Sequence, residues 1–401
     1  MKNLVLKLSR SNLVRYLGLG YISAFLNVIL NLLLIKLLDI SSFGKVTLGK
    51  SMFQSFDFSH LGVRYGLDRY LPHCKELKES SEIFTIGFVF STLFSLFFVL
   101  FWFFYDVSNV AFYSFFYISG VFYSIVTIYR IYYRAEDDKT SFVSISFYAT
   151  IIPLIFQIVG VYLFGLYGFI TSHLVSYLFS YLICYFWYDI KIIKLTKESL
   201  NVLLKLLKSG YLVFISSIVS FLASTGDRFF IAKYWGLEFL GVFGVVMFFF
   251  SVFSLLSVNY TELIMNKIIL KKSFKYVIRQ ALFLVSFVFV FTVLAFFILP
   301  FFIDLFIPKY TNCINDIRLI LIGVIPYSFL PILNSYLHAI DKREILLGVN
   351  IISTSIYFII LFFLLKGVCS LEFLIYLKIA SFFLLMLLTL ISSFICSKRV
   401  N

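Results

Sequence analysis

Charge is what this chain has least of: only 13% of its 401 residues are Asp, Glu, Lys or Arg, against 61% apolar ones, and the mean hydropathy is +1.00. A water-facing surface needs more charge than that, so no sizeable soluble domain can be built from what remains. Cysteine is also sparse. The five (Cys74, Cys184, Cys313, Cys369 and Cys396) form no CxxC pair and no metal-ligand spacing, which argues against a redox dithiol or a zinc or iron centre. No cofactor is expected. No P-loop occurs, so nothing points to nucleotide hydrolysis. Proline numbers six; among those inside apolar stretches, Pro153, Pro326 and Pro331 each remove a helical hydrogen bond and allow bending.

What is present is apolar sequence in lengths that fit a bilayer. A span needs roughly 20 apolar residues, and windows of that size predict helices near 14–37, 46–66, 83–104, 111–134, 142–164, 166–188, 211–235, 241–263, 281–303, 317–339, 345–366 and 371–396. The first is expected to be a retained anchor, because no small-residue cleavage site follows it. Twenty-five of the 34 basic residues lie at the termini and in alternate connectors, and only Lys36, Lys45, Lys233, Lys309 and Lys366 lie in the others. Short basic loops stay in the cytoplasm, so both termini are expected there. Topology and anionic headgroups account for the net charge of +14, which leaves nucleic acid without support as a partner and membrane lipid as the expected one.

The longest charged connector divides the spans six and six, predicting an N-terminal bundle over 1–190, a cytoplasmic linker over 191–209 and a C-terminal bundle over 210–401. Asp39-Ile-Ser-Ser-Phe43-Gly44 after the first span resembles Gly236-Leu-Glu-Phe-Leu240-Gly241 after the seventh. Repeats with an even number of spans share one orientation, related by an axis along the membrane normal. The fold class expected is therefore an all-α polytopic membrane protein, with two six-helix bundles around a central cavity.

Ionisable side chains inside spans are costly and ordinarily face a partner or water. Lys50, Asp57 and Arg64 recur at intervals of seven, which on a continuous helix places them within about 40° of one another, with Gln54 in the same stripe. Either they line a wet cleft or Asp57 neutralises Lys50 or Arg64; Arg64 could equally snorkel to the headgroups. In the seventh span Ser217, Ser220 and Ser224 lead to Asp227 and Arg228, adjacent residues that point about 100° apart and so reach different neighbours. Asn27 and Asn31 lie one turn apart in the first span, Glu262 sits near the inner end of the eighth, and Lys378 lies within the twelfth. The surplus is cationic and favours an anionic cargo. Asp57, Asp227 and Glu262 are the carboxylates available to couple an ion.

Arg15-Tyr-Leu-Gly18, Phe43-Gly44, Gly62-Val-Arg64-Tyr65-Gly-Leu-Asp-Arg69-Tyr70 and Asp227-Arg228-x-x-Ile231 with Gly236 and Gly241 resemble bacterial polysaccharide flippases. These are the O-antigen and capsule repeat-unit transporters of the multidrug, oligosaccharidyl-lipid and polysaccharide exporter superfamily. The resemblance implies a multidrug-and-toxin-extruder fold whose V-shaped cavity carries an undecaprenyl-diphosphate-linked oligosaccharide from the inner to the outer leaflet by alternating access. It also implies a place in lipopolysaccharide or capsule synthesis beside polysaccharide assembly proteins. Arg64, Asp227 and Arg228 match family motif positions. The first span has no acidic residue matching an extruder-type cation site.

Two other functions compete: a cation-coupled multidrug or small-molecule antiporter of the same fold, and a membrane glycosyl polymerase or transferase. An enzyme joining sugars outside the membrane needs an outer loop with convergent catalytic groups, and the longest outer connector, near 304–316, carries none. A transporter, not an enzyme, is expected.

Overall fold

The computed structural model describes residues 12–74, 77–105, 109–188, 190, 192, 195, 197–364 and 370–400. Cys369 lies outside the described residues, as do Lys2, Lys7 and Arg10. Among the described residues there are helices and no strands, the outcome hydrocarbon imposes when every backbone N–H and C=O must find a partner within its own segment. Among the described residues, ten helical runs are long and apolar enough to cross a membrane. Two features account for the difference from the twelve expected. The fifth and sixth expected spans merge into one run, Lys139–Trp187, broken at Gly165, whose backbone (φ 60°, ψ −136°) suits glycine alone.

The second difference is a correction. The expected span at 46–66 is not one continuous helix: α2 (Ile40–Ser55) follows α1 (Asn12–Leu37) and stops, a 3₁₀ turn covers Phe56–Phe58, and Leu61 and Gly62 take left-handed conformations (φ 46° and 95°) before α3 (Val63–Tyr70). Backbone bonds and side chains together hold the break: Ser59 N donates to Phe56 O, Leu61 N to Phe58 O and Val63 N to His60 O. Trp102 Nε1 donates to Ser55 Oγ at 2.8 Å, Ser59 Oγ donates to Phe56 O at 2.8 Å, and Gly62 N donates to His60 Nδ1 at 2.9 Å.

The chain forms two compact units, one of residues 1–39 and 48–218, the other of 40–47 and 219–401. The division runs through α2 and through α7 (Lys197–Phe221), rather than through the connector at 191–209. In the first unit α5 (Val110–Ala135) is central, packing against α4 (Leu77–Tyr105) and α6 (Lys139–Trp187), while α1 packs on α6. Its buried residues Tyr113, Phe116, Tyr117, Gly120, Val121 and Ser124 follow the three-and-four spacing of one helix face. At the end of that stripe three buried hydroxyls converge: Ser95 lies 2.7 Å from Ser59 and 2.8 Å from Ser124. They tie the broken stretch after α2 to α4 and α5.

The second unit continues from a π-helical turn at Leu222–Gly226 through α8 (Asp227–Tyr234), α9 (Gly236–Lys271), α10 (Phe274–Phe306), α11 (Ile314–Ile322), α12 (Val324–Ala339), α13 (Arg343–Leu364) and α14 (Leu371–Val400). Here α12 is central, touching α9, α10 and α14. Ser257 and Ser328 hydrogen-bond at 2.7 Å between α9 and α12, and Phe250 stacks on Phe382 of α14 at 4.8 Å. Pro326 falls in the first turn of α12, where the missing N–H is one the helix does not need, whereas Pro331 is interior.

Glycines allow two very close backbone crossings. In the second unit a Cβ on Gly44 would lie 1.9 Å from Leu237 O and a Cβ on Gly241 would lie 2.1 Å from Ile40 O. Each glycine thus receives the carbonyl four residues before the other, so the two turns matched in the sequence pack reciprocally. The first unit repeats the pattern where α3 meets α7: a Cβ on Gly210 would lie 2.0 Å from Gly62 O, and one on Gly66 2.4 Å from Leu206 O.

Candidate functional site

In the first unit, Lys50 stands in a polar cluster with two asparagines. Asn31 Nδ2 donates to Asn27 O at 2.7 Å and to Asn27 Oδ1 at 2.8 Å, one turn back along α1. This fixes the amide so that Asn31 Oδ1 accepts from Lys50 Nζ of α2 at 3.0 Å. The ammonium also lies 5.3 Å from the centroid of Phe169. Lys50 is half-buried, while Asn27 and Gln54 are exposed.

The 100°-per-residue stripe expected for Lys50, Asp57 and Arg64 does not exist, because α2 ends before Asp57. Asp57 and Arg64 nevertheless meet as an ion pair across the turn. Of the two partners open to Asp57, the structure gives it Arg64. Arg64 also lies 5.8 Å from the ring of Tyr65, and the Tyr65 hydroxyl is 2.8 Å from Ser217 Oγ of α7. The rest of the motif fastens α3 in place. Arg69 Nη1 donates to Ser209 O at 2.9 Å, Asp68 pairs with Arg134 of α5, and Gly62 and Gly66 make the close crossing with α7.

Among the described residues, the most buried charges lie in the second unit. Asp227 opens α8 directly after the π-helical turn, and its Oδ2 accepts from Lys378 Nζ of α14 at 2.7 Å; both side chains are 1% exposed. Tyr357 of α13 donates its hydroxyl to the same Oδ2 at 3.0 Å, and Lys378 Nζ also donates to Ala223 O at 2.8 Å. Asp227 Oδ1 is buried with no hydrogen-bond partner among the described residues. Asp227 and Lys378, both singled out in the sequence, are thus brought together, and Lys378 is withdrawn from any accessible surface. Arg228, adjacent in sequence, is half-buried, and Glu262 is exposed on α9.

The sequence does not bring out Tyr357 or the carbonyl of Ala223. A tyrosine hydroxyl in the middle of an apolar span needs a polar partner and could have flagged Tyr357. The carbonyl carries no sequence signal, since it belongs to the backbone and lies within a π-helical turn.

Residues 33–245, more than half of the chain, match the family model described as polysaccharide biosynthesis protein. The chain belongs to the polysaccharide biosynthesis protein family. No curated protein matches it in sequence. Among solved structures, it is similar to an inward-facing multidrug resistance MATE family transporter of the MOP superfamily, with 12% identity, a TM-score of 0.66, and coverage of 96% of this chain and 98% of that one. It is also similar to a mutant MATE transporter of Vibrio cholerae, with 12% identity, a TM-score of 0.58 and 98% coverage of both chains. This family member is therefore a multi-pass membrane protein with the fold of the MOP-superfamily transporters.

Proposed function

We propose that this protein is a flippase that moves an undecaprenyl-diphosphate-linked oligosaccharide repeat unit from the inner to the outer leaflet of the bacterial cytoplasmic membrane by alternating access. The observation that carries the reading is the joining of a polysaccharide biosynthesis family to a transporter fold. Such a cargo keeps its lipid tail in hydrocarbon, so only the charged head needs a polar route, and a protein that is almost wholly membrane-spanning suffices. An inside-negative potential favours outward movement of an anion, by about 2.3 kcal/mol per charge per 100 mV.

In this reading the two six-helix halves, 1–190 and 210–401, work as transport repeats with both termini in the cytoplasm. The product feeds O-antigen or capsule assembly and its proteins. Lys50, Arg64 and Arg228, all partly exposed, are assigned to the diphosphate, with Asn27, Asn31 and Gln54 serving the sugar. Asp57, paired with Arg64, is assigned to hold that arginine; Asp227 and Glu262 remain the ion-coupling positions.

The multidrug antiporter is the second reading, supported by the same fold neighbours. Depleting the protein in its host and measuring outer-leaflet lipid-linked units, surface polysaccharide and drug susceptibility separates the two. A flippase predicts that units accumulate on the inner leaflet with drug susceptibility unchanged. Normal outer-leaflet exposure with raised drug susceptibility would replace the flippase by the antiporter.

A further inference from the structure

The surroundings of Lys378 Nζ are those of a bound monovalent cation. A carboxylate oxygen (Asp227 Oδ2, 2.7 Å) and a backbone carbonyl (Ala223 O, 2.8 Å) accept its hydrogen bonds. Two aromatic faces, Tyr357 at 4.8 Å and Phe382 at 5.8 Å from the ring centroids, complete the shell. Hard oxygens and π faces are what a desolvated cation of single charge takes. Both acceptor oxygens come from the segment around the π-helical turn 222–226, and Ala223 lies inside that turn, where the α-helical register is interrupted. The ammonium is delivered from another helix, α14, and both charged side chains are 1% exposed. Asp227 Oδ1 remains buried without a hydrogen-bond partner among the described residues, so the carboxylate has coordinating capacity beyond what the lysine uses.

We propose that the cluster of Asp227, Ala223 O and Tyr357 is a monovalent-cation site whose permanent occupant is the chain's own Lys378 ammonium, so that this unit takes up no free sodium or potassium there. The proposal goes beyond the functional reading: it takes Asp227 out of the positions that couple a free ion, and it does not depend on the identity of the cargo. A tethered cation neutralises the carboxylate throughout a transport cycle, which leaves coupling to a free ion, or to the membrane potential, to residues elsewhere. It also means that the alkali-cation site is latent. Removing the amine while keeping the oxygens creates a real site.

The test uses the purified full-length protein without cargo, with thermal unfolding followed in sodium, potassium and choline chloride at equal ionic strength, and with n-propylammonium chloride added to choline. The wild type is expected to melt at one temperature in all three salts. Lys378→Ala is expected to melt lower in choline and to be raised by about 2 °C or more by sodium, potassium or n-propylammonium. Asp227→Asn/Lys378→Ala is expected to lose that response. Lys378→Met, which fills more of the lysine volume, serves if the alanine variant does not fold, read by binding of radioactive sodium that Asp227→Asn/Lys378→Met lacks. If neither single variant folds, the wild type decides: no sodium binding supports the tethered cation. Sodium stabilisation or binding in the wild type that Asp227→Asn abolishes overturns the proposal, and so does a folded Lys378 variant indifferent to every cation. Because no arm involves cargo, failure of the flippase reading would leave these results unchanged.

Discussion

Adding one methyl group at Gly44 should separate two helices that the native backbone holds in contact. A Cβ there would lie 1.9 Å from Leu237 O, whereas carbon and carbonyl oxygen ordinarily approach no closer than about 3.3 Å, so the backbones must part by about 1.4 Å. Neither can yield locally, since the obstructing atom is main chain within α9. A radial gap of about 1 Å forfeits up to roughly half of each dispersion contact across the crossing, consistent with a cost of about 1–3 kcal/mol for overpacking. Alanine also gains up to about 1 kcal/mol over glycine in any helix, which needs a control. Gly348, in α13 with nothing within 4 Å of its would-be Cβ, gains that increment without the clash. Thermal unfolding of Gly44→Ala and Gly348→Ala should therefore differ by about 2–4 °C per kcal/mol, or about 6 °C in all, for a unit of this size. The reciprocal geometry makes a sharper demand. Once Gly44→Ala has parted the helices, Gly241→Ala costs little more, so the double variant should fall well short of the sum. Stability of Gly44→Ala equal to that of Gly348→Ala, or strict additivity of the pair, would refute the crossing.

Asp227→Asn and Lys378→Met, measured in choline buffer, should each destabilise by about 3–5 kcal/mol by leaving a buried charge unpaired, and the double variant should lose clearly less than the two together in denaturant or thermal unfolding. Cys74, in the connector after α3, has its thiol pushed up to about 11 by burial and by Glu79 and Glu136. Its thiolate is thus scarce at neutral pH, and, with the other cysteines replaced, it should react with a disulfide reagent about tenfold more slowly than a free thiol, after allowing for the greater nucleophilicity of a more basic thiolate. The rate should climb steeply as pH rises toward that value; a flat profile would count against the buried, carboxylate-flanked setting. Lys50→Ala and Arg228→Ala should reduce outer-leaflet exposure of the lipid-linked unit at matched expression, with Arg228→Lys retaining part because charge is kept and bidentate geometry lost. Normal exposure with both cations removed would detach the head group from these positions. Asp57→Asn should lower exposure less than Arg64→Ala, since the carboxylate serves the arginine.

The membrane class, the helical fold and nearly all of the span positions are properties of the sequence by itself, because hydrocarbon sets a length and a polarity that each segment meets or fails alone. The turns at Gly44 and Gly241 were legible too, as similar residues at matching places in the two halves. What those glycines do was not legible, since a close approach depends on the second backbone. The break after Ser55 also escaped, as the seven-residue spacing of Lys50, Asp57 and Arg64 has meaning only on an unbroken helix. Leu61 and Gly62 turn left-handed within a segment apolar enough to read as one. Lys378 and Asp227 were each conspicuous as charges in an apolar setting, yet they stand 151 residues apart in sequence, and no local pattern joins α14 to the start of α8. Only the packing around α12 and the π-helical turn at 222–226 decide that the ammonium meets that carboxylate and the Ala223 carbonyl. A side chain's chemistry belongs to its residue, but its partner in a low-dielectric interior is chosen by the fold.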